Sequence, residues 1–340
     1  MTEPTTTGQL AERPQPVPSA APPVDEAVPE VPAQAGPVDA PGGTGVEDPA
    51  PPPARVDTGT GFLLALGLLW LGTRLWSAHA NIRDAGSGLS RLIVAAYQLP
   101  DVIAASTLAG AAGGVAAVAW RTTRTPDGGR SGRWLIGSLA GLTTGLLVAA
   151  VVVLGYGSHS PDLVLALSVM VACTLGGAVV AFPPVKVMAA GVAATLGAFV
   201  VGVALNVFQN HIVDLFGPGS TAQSHLAAAN RAALAESLLG GVVAGLIAFV
   251  HLRRRAGDRR FLAYLAAGAT PGGLILLAEV VTRLGGAQLF NLARKISPAD
   301  NTAVDYFSSA RVNHALVVLF AGMIVALIAF GRTLPRRPRR

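Results

Sequence analysis

The sequence predicts an all-α integral membrane protein of about eight transmembrane helices behind a disordered, proline-rich N-terminal tail. Three observations predict it. From residue 58 onward the chain is filled by apolar runs of about 18 to 24 residues, and a bilayer core about 30 Å thick takes about 20 residues of helix at 1.5 Å rise each. The chain is 51% hydrophobic and only 13% charged, where soluble domains carry about 25% charged residues. Fourteen of its 24 prolines fall before residue 58.

Residues 1–57 form the first element. They hold nine acids and two arginines, a net charge of −7, with few large apolar residues. Such a segment cannot bury enough surface to offset the entropy of ordering it, so it is expected to be extended and rich in polyproline II. It opens with no basic stretch leading into an apolar one, so it does not read as a secretory signal. Two readings stand: a solvated acidic tail, or an arm offering Pro16-Val17-Pro18 or Pro51-Pro52-Pro53 to a proline-binding protein partner.

Residues 58–332 form the eight-helix domain, with spans expected at 60–79, 101–120, 134–156, 162–182, 185–208, 235–252, 261–283 and 313–331. Residues 333–340 form a short basic tail. Orientation comes from the arginines. The 121–133 connection holds Arg121, Arg124, Arg130 and Arg133; the 253–260 connection holds Arg253, Arg254, Arg255, Arg259 and Arg260; the C-terminal tail holds five more. With eight spans these segments share one side, together with Lys186, and the positive-inside rule makes that side the cytoplasm. Both termini are then cytoplasmic, in the cell (plasma) membrane. The same rule accounts for the basic balance, so no nucleic-acid partner is expected; the partner is the lipid bilayer. Twenty-three arginines against two lysines suit a GC-rich, bacterial source.

The outer connections at about 80–100, 209–234 and 284–312 each carry a short amphipathic stretch, at residues 89–94, 226–234 and 289–296. These are expected to be interfacial helices lying on the outer leaflet. Spans 1–2, 5–6 and 7–8 thereby share a hairpin plan that suggests an internal repeat. Glycines at four-residue spacing (Gly110 and Gly114; Gly137, Gly141 and Gly145; Gly241 and Gly245; Gly268 and Gly272) suit close helix packing within the chain, or a homo-oligomer through one such face. Trp70, Trp76, Trp120 and Trp134 fall at or near span ends, where an aromatic belt places them. The one cysteine, Cys173, lies inside a span and reads as a small packing residue.

No catalytic motif, phosphate loop or metal-ligand spacing occurs, so no catalytic residue, cofactor or metal site is expected. The most unusual stretch is Ala269-Thr270-Pro271-Gly272-Gly273 in the seventh span. Pro271 lies ten residues, about 15 Å, into that span, near the bilayer midplane. Proline removes a backbone donor there. A helix broken at Pro271, Gly272 and Gly273 is expected, either as a plain kink or as the kind of discontinuity that forms transport sites. Glu279 and Arg283 follow at i, i+4 spacing and are expected to pair near the outer boundary. Arg74 sits about 20 Å into the first span and is expected to snorkel outward or to pair with an outer acid. Five histidines and several acids gather on the outer side, where solvent alone explains them and a shared metal site is the sharper alternative.

Function follows only coarsely. Eight spans with a broken seventh suggest a transporter or permease. The alternative is a non-catalytic membrane scaffold or anchor in cell-envelope assembly, favoured by the scarcity of buried ionisable groups. A lipid-handling enzyme using the outer histidines and aspartates is a third reading, which no motif supports.

Overall fold

A computed structural model describes residues 58–85, 89–124, 130–156, 160–217, 219, 221–256, 260–287 and 298–333. The predicted tail, most of the basic C-terminus and the 289–296 stretch lie outside the described residues. Among those described, the elements are all helices: α1 (Thr58–Asp84), α2 (Leu89–Thr122), α3 (Arg130–Tyr156), α4 (Ser160–Val179), α5 (Val185–Val207), α6 (Gln209–Leu215), α7 (Ala222–Ala256), α8 (Phe261–Gly285) and α9 (Pro298–Gly331). Helix is what a lipid solvent requires, since it pairs every backbone group within its own segment. Buried hydroxyls follow the same logic. Ser106, Thr107, Thr195, Ser237 and Thr282 each donate to the carbonyl four residues back, at 2.7–2.9 Å.

Seven of the helices (α1, α2, α3, α5, α7, α8 and α9) are long and apolar enough to cross a membrane. The remaining expected span is α4, whose apolar stretch, Leu163–Val179, is shorter. It ends before residue 182 because Pro183 disfavours helix at the residue preceding it, and the chain turns there into Pro184 and α5.

Two expectations are corrected. First, the amphipathic stretches at 89–94 and 226–234 are not separate interfacial helices: they are the opening turns of α2 and α7. No glycine or proline interrupts residues 222–239, which are rich in Ala and Leu, so helix propensity carries through. Helices α2, α7 and α9 thus reach 34 or 35 residues, about 50 Å, and project well beyond a bilayer core. The short separate helix is instead α6, seven residues long. Second, α8 is continuous through Pro271. The missing proline N–H leaves one carbonyl without its backbone partner but does not end the helix, because neighbouring helices hold it on both sides. Thr270 seats against Gly191 of α5, and Gly272 lies directly on Ala315 and Leu319 of α9.

The long helices alternate in direction and pack as two halves, α1–α4 and α5–α9, joined across α2 and α8. The halves are built alike. In the first, Gly114 of α2 and Gly137 of α3 both press on Gly177 of α4; in the second, Gly245 of α7 and Gly268 of α8 both press on Gly322 of α9. A Cβ at Gly268 would stand 2.5 Å from the Gly322 carbonyl oxygen, and one at Gly245 2.6 Å from the same atom. Without these glycines the backbones could not meet. Gly110, Gly114, Gly137 and Gly141 recur as Gly241, Gly245, Gly268 and Gly272 at a constant separation of 131 positions, and buried Ser106 recurs as Ser237. The recurring pattern therefore spans a group of helices larger than the hairpin expected. Cys173 is fully buried where α2 and α3 meet α4, as a packing residue.

One end of the bundle is basic. Arg255 at the close of α7 lies against Gly59 at the start of α1, with Arg121 closing α2, Arg124 just beyond it and Arg332 following α9. Trp76, Trp120 and Trp134 are exposed on the surface.

Candidate functional site

Small apolar side chains seal most of the bundle, and its polar groups concentrate in two places away from the basic end. The first is a cavity of about 390 Å³ lined by Arg74 of α1, Asp101 of α2, Asn206 of α5, Glu236 of α7 and His314 of α9, with Ile275 of α8 closing one wall. Helices of both halves contribute. Counting 1.5 Å per residue from the arginines, Arg74, Glu236 and His314 lie about 22–27 Å from the basic end.

Each lining group is positioned by its helix. The Arg74 guanidinium stands 4.6 Å from the centroid of Trp70, one turn back, and that ring stacks on Phe199 of α5 at 5.4 Å. A cation over an aromatic face is held by the ring's negative quadrupole. Arg74 also pairs with Asp101 at 3.6 Å, but the Asp101 side chain is 59% exposed, so solvent screens the pair and it contributes at most about 1 kcal/mol. The sequence-based expectation of an acid partner for Arg74 is met by α2.

His314 Nδ1 lies 2.7 Å from Ser237 Oγ, whose single proton goes to the Ala233 carbonyl. The ring nitrogen is therefore the donor in that contact, and the neutral imidazole keeps Nε2 as an acceptor. Glu236, next to Ser237, is half-buried. Its carboxylate rests against α5 where Gly202 has no side chain: a Cβ there would sit 3.7 Å from Glu236 Oε1. No described residue donates a hydrogen bond to it.

The second cluster joins α8 to α9. Glu279 is 5% exposed and fully engaged. Its Oε1 accepts from Arg283 Nε at 3.0 Å and Ser308 Oγ at 2.9 Å, and its Oε2 accepts from Arg311 Nε at 2.8 Å. Arg283 Nη2 also donates to Ser308 Oγ at 2.8 Å. The spacing predicted the Glu279–Arg283 pair; Arg311 and Ser308 come from a distant segment, which spacing within one helix cannot reveal. Two cations on one buried carboxylate make this a clamp between helices rather than an open site. Beside it, Tyr306 of α9 donates to Asn230 of α7.

The remaining predicted site residues fall elsewhere. Pro271 is buried, Gly272 is buried in the α8–α9 contact, Gly273 faces open space, and none of the three lines the cavity. The polar residues that do line it were individually visible on the predicted outer side, but nothing in the sequence brought Asp101, Glu236 and His314 together. One signal was available: Glu236 falls inside an apolar run, where an ionisable residue is a functional candidate by default. Among the described residues, no three of His, Cys, Asp and Glu gather to hold a metal.

No protein family, curated protein or solved structure matches this chain.

Proposed function

We propose that the protein is a transporter of the permease type, with the cavity between its two halves as the binding site for a small polar solute. The observation that carries this reading is the cavity itself: a charged recess walled by helices from both halves of a largely apolar bundle. Transporters built from structural repeats place their sites at the repeat interface, where motion of one half against the other changes access. The positive-inside rule sets the basic end in the cytoplasm, so the cavity belongs to the outer half of the membrane. Arg74 and Asp101 present one charge of each sign, with Asn206 and His314 for hydrogen bonding.

Native mass spectrometry of protein released gently from its own membranes tests this. The expected spectrum shows a stoichiometric small ligand on the wild type that is lost from Gly202→Leu, which fills the recess beside Glu236. A ligand-free chain held in complex with a second protein overturns the reading and leaves the scaffold.

A further inference from the structure

Two glutamates lie within the spanning helices, in opposite settings. Glu279 is enclosed by two guanidinium donors and a hydroxyl, so its charge is fixed. Glu236 is half-buried on a cavity wall with no donor from any described residue. Its neighbours explain why. From α5 it meets Gly202, which offers only backbone. From α1, Arg74 faces the cavity but is turned to Asp101 of α2. From α9, His314 faces it, yet its Nδ1 proton is committed to Ser237. From α8 the wall is Ile275, and the Glu279 clamp begins one turn further on. Helix α6, packed on the start of α7, carries His211 and Asp214, both exposed. The negative charge of Glu236 is thus balanced only by the water the cavity admits, whereas loss of a proton from a carboxyl is ordinarily supported by donors or a cation. In the first half the matching position, 131 residues earlier, is the buried Ala105; packing of the repeated unit does not require a carboxyl there.

We propose that Glu236 is a proton-binding site, exchanging its carboxyl proton with cavity water, while Glu279 is held by its two arginines. This deepens the transport reading, which gives the proton a use as coupling ion, and rests on it for that use alone. Titration of the carboxyl is measurable without any transport.

The full chain is purified, placed in phosphatidylcholine vesicles and treated with dicyclohexylcarbodiimide. This reagent takes the proton of a neutral carboxyl onto nitrogen, bonds the carboxylate oxygen at its central carbon, and rearranges to a stable N-acylurea with no atom lost. Peptide mass spectrometry then reads the modified residue. The expected result is labelling of Glu236 that falls about tenfold for each pH unit above its titration midpoint, no labelling of Glu279, and no label in Glu236→Gln. Infrared difference spectra across a pH jump supply a reagent-free check. The wild type is expected to gain a protonated-carboxyl band on acidification that Glu236→Gln lacks. Absence of both the label and the band at Glu236, or labelling of Glu279 instead, overturns the proposal. A ligand retained in the mass spectrum with no titration of Glu236 sinks the proton site alone; titration without any ligand sinks the transport reading alone.

Discussion

Glu279 shows how a single buried charge is made tolerable and what its removal does. The carboxylate accepts three side-chain hydrogen bonds and offsets part of the charge of two arginines that would otherwise face the same small volume. Breaking a buried ion pair from one side costs about 3–5 kcal/mol, because the partner is left uncompensated. Glu279→Ala is therefore expected to lose about 3 kcal/mol, seen as a marked fall in Tm in detergent. The two arginines should differ. The Arg311 side chain is 30% exposed and that of Arg283 56%, so Arg311→Ala should lower Tm more than Arg283→Ala. Equal effects would mean that α8 and α9 do not close around Glu279 as described.

At the scale of an element, neighbouring glycines on α8 carry opposite expectations. A Cβ at Gly272 overlaps Ala315 and Leu319, while one at Gly273 meets nothing within 4 Å. Gly272→Ala should destabilise by about 1–3 kcal/mol through overpacking. Gly273→Ala should stabilise by up to about 1 kcal/mol, the helix-propensity difference. Thermal unfolding of the two variants side by side checks both signs. The glycine junctions give a paired expectation: Gly177→Val and Gly322→Val should each abolish folded yield, because each forces a side chain onto the backbone of a facing helix. Folded, monodisperse protein from either would argue against that junction.

These elements also show what was legible beforehand. The long apolar runs gave the helices, and four-residue glycine spacing gave their packing faces, since both follow from local periodicity. Helix starts at 89 and 222 were missed because the chain is amphipathic there, and α2 runs on through Pro100. The break at Pro271, Gly272 and Gly273 was expected from those three residues, although support from α5 and α9 keeps the helix whole. Of the site, the Glu279–Arg283 pair was readable at i, i+4. Arg311, Ser308 and the grouping of Asp101, Glu236 and His314 were not, because they depend on contacts between helices far apart in sequence.

At the scale of the whole molecule, the junctions between α2, α3 and α4, and between α7, α8 and α9, bind each half through backbone contact, whereas the meeting of the halves includes the cavity. Access to that cavity is testable. Asn206 is exposed and lines it, so Asn206→Cys, in a Cys173→Ser background, should react with a membrane-impermeant thiol reagent from the outer face of sealed vesicles. Reaction equally from both faces, or from neither, would contradict an outward recess.

The constant separation of 131 positions between the glycines of α2 and α7 and between those of α3 and α8 has a historical side. A unit with an even number of crossings ends on the side where it began, so a second unit can follow in the same chain without an added helix to turn it over. Tandem doubling of such a unit leaves this kind of record: the contact glycines of α2 and α3 stay in register with those of α7 and α8, and surfaces under less constraint drift apart. Glu236 opposite Ala105, like Glu279 opposite Val148, is then a point of divergence, where the two halves became chemically distinct.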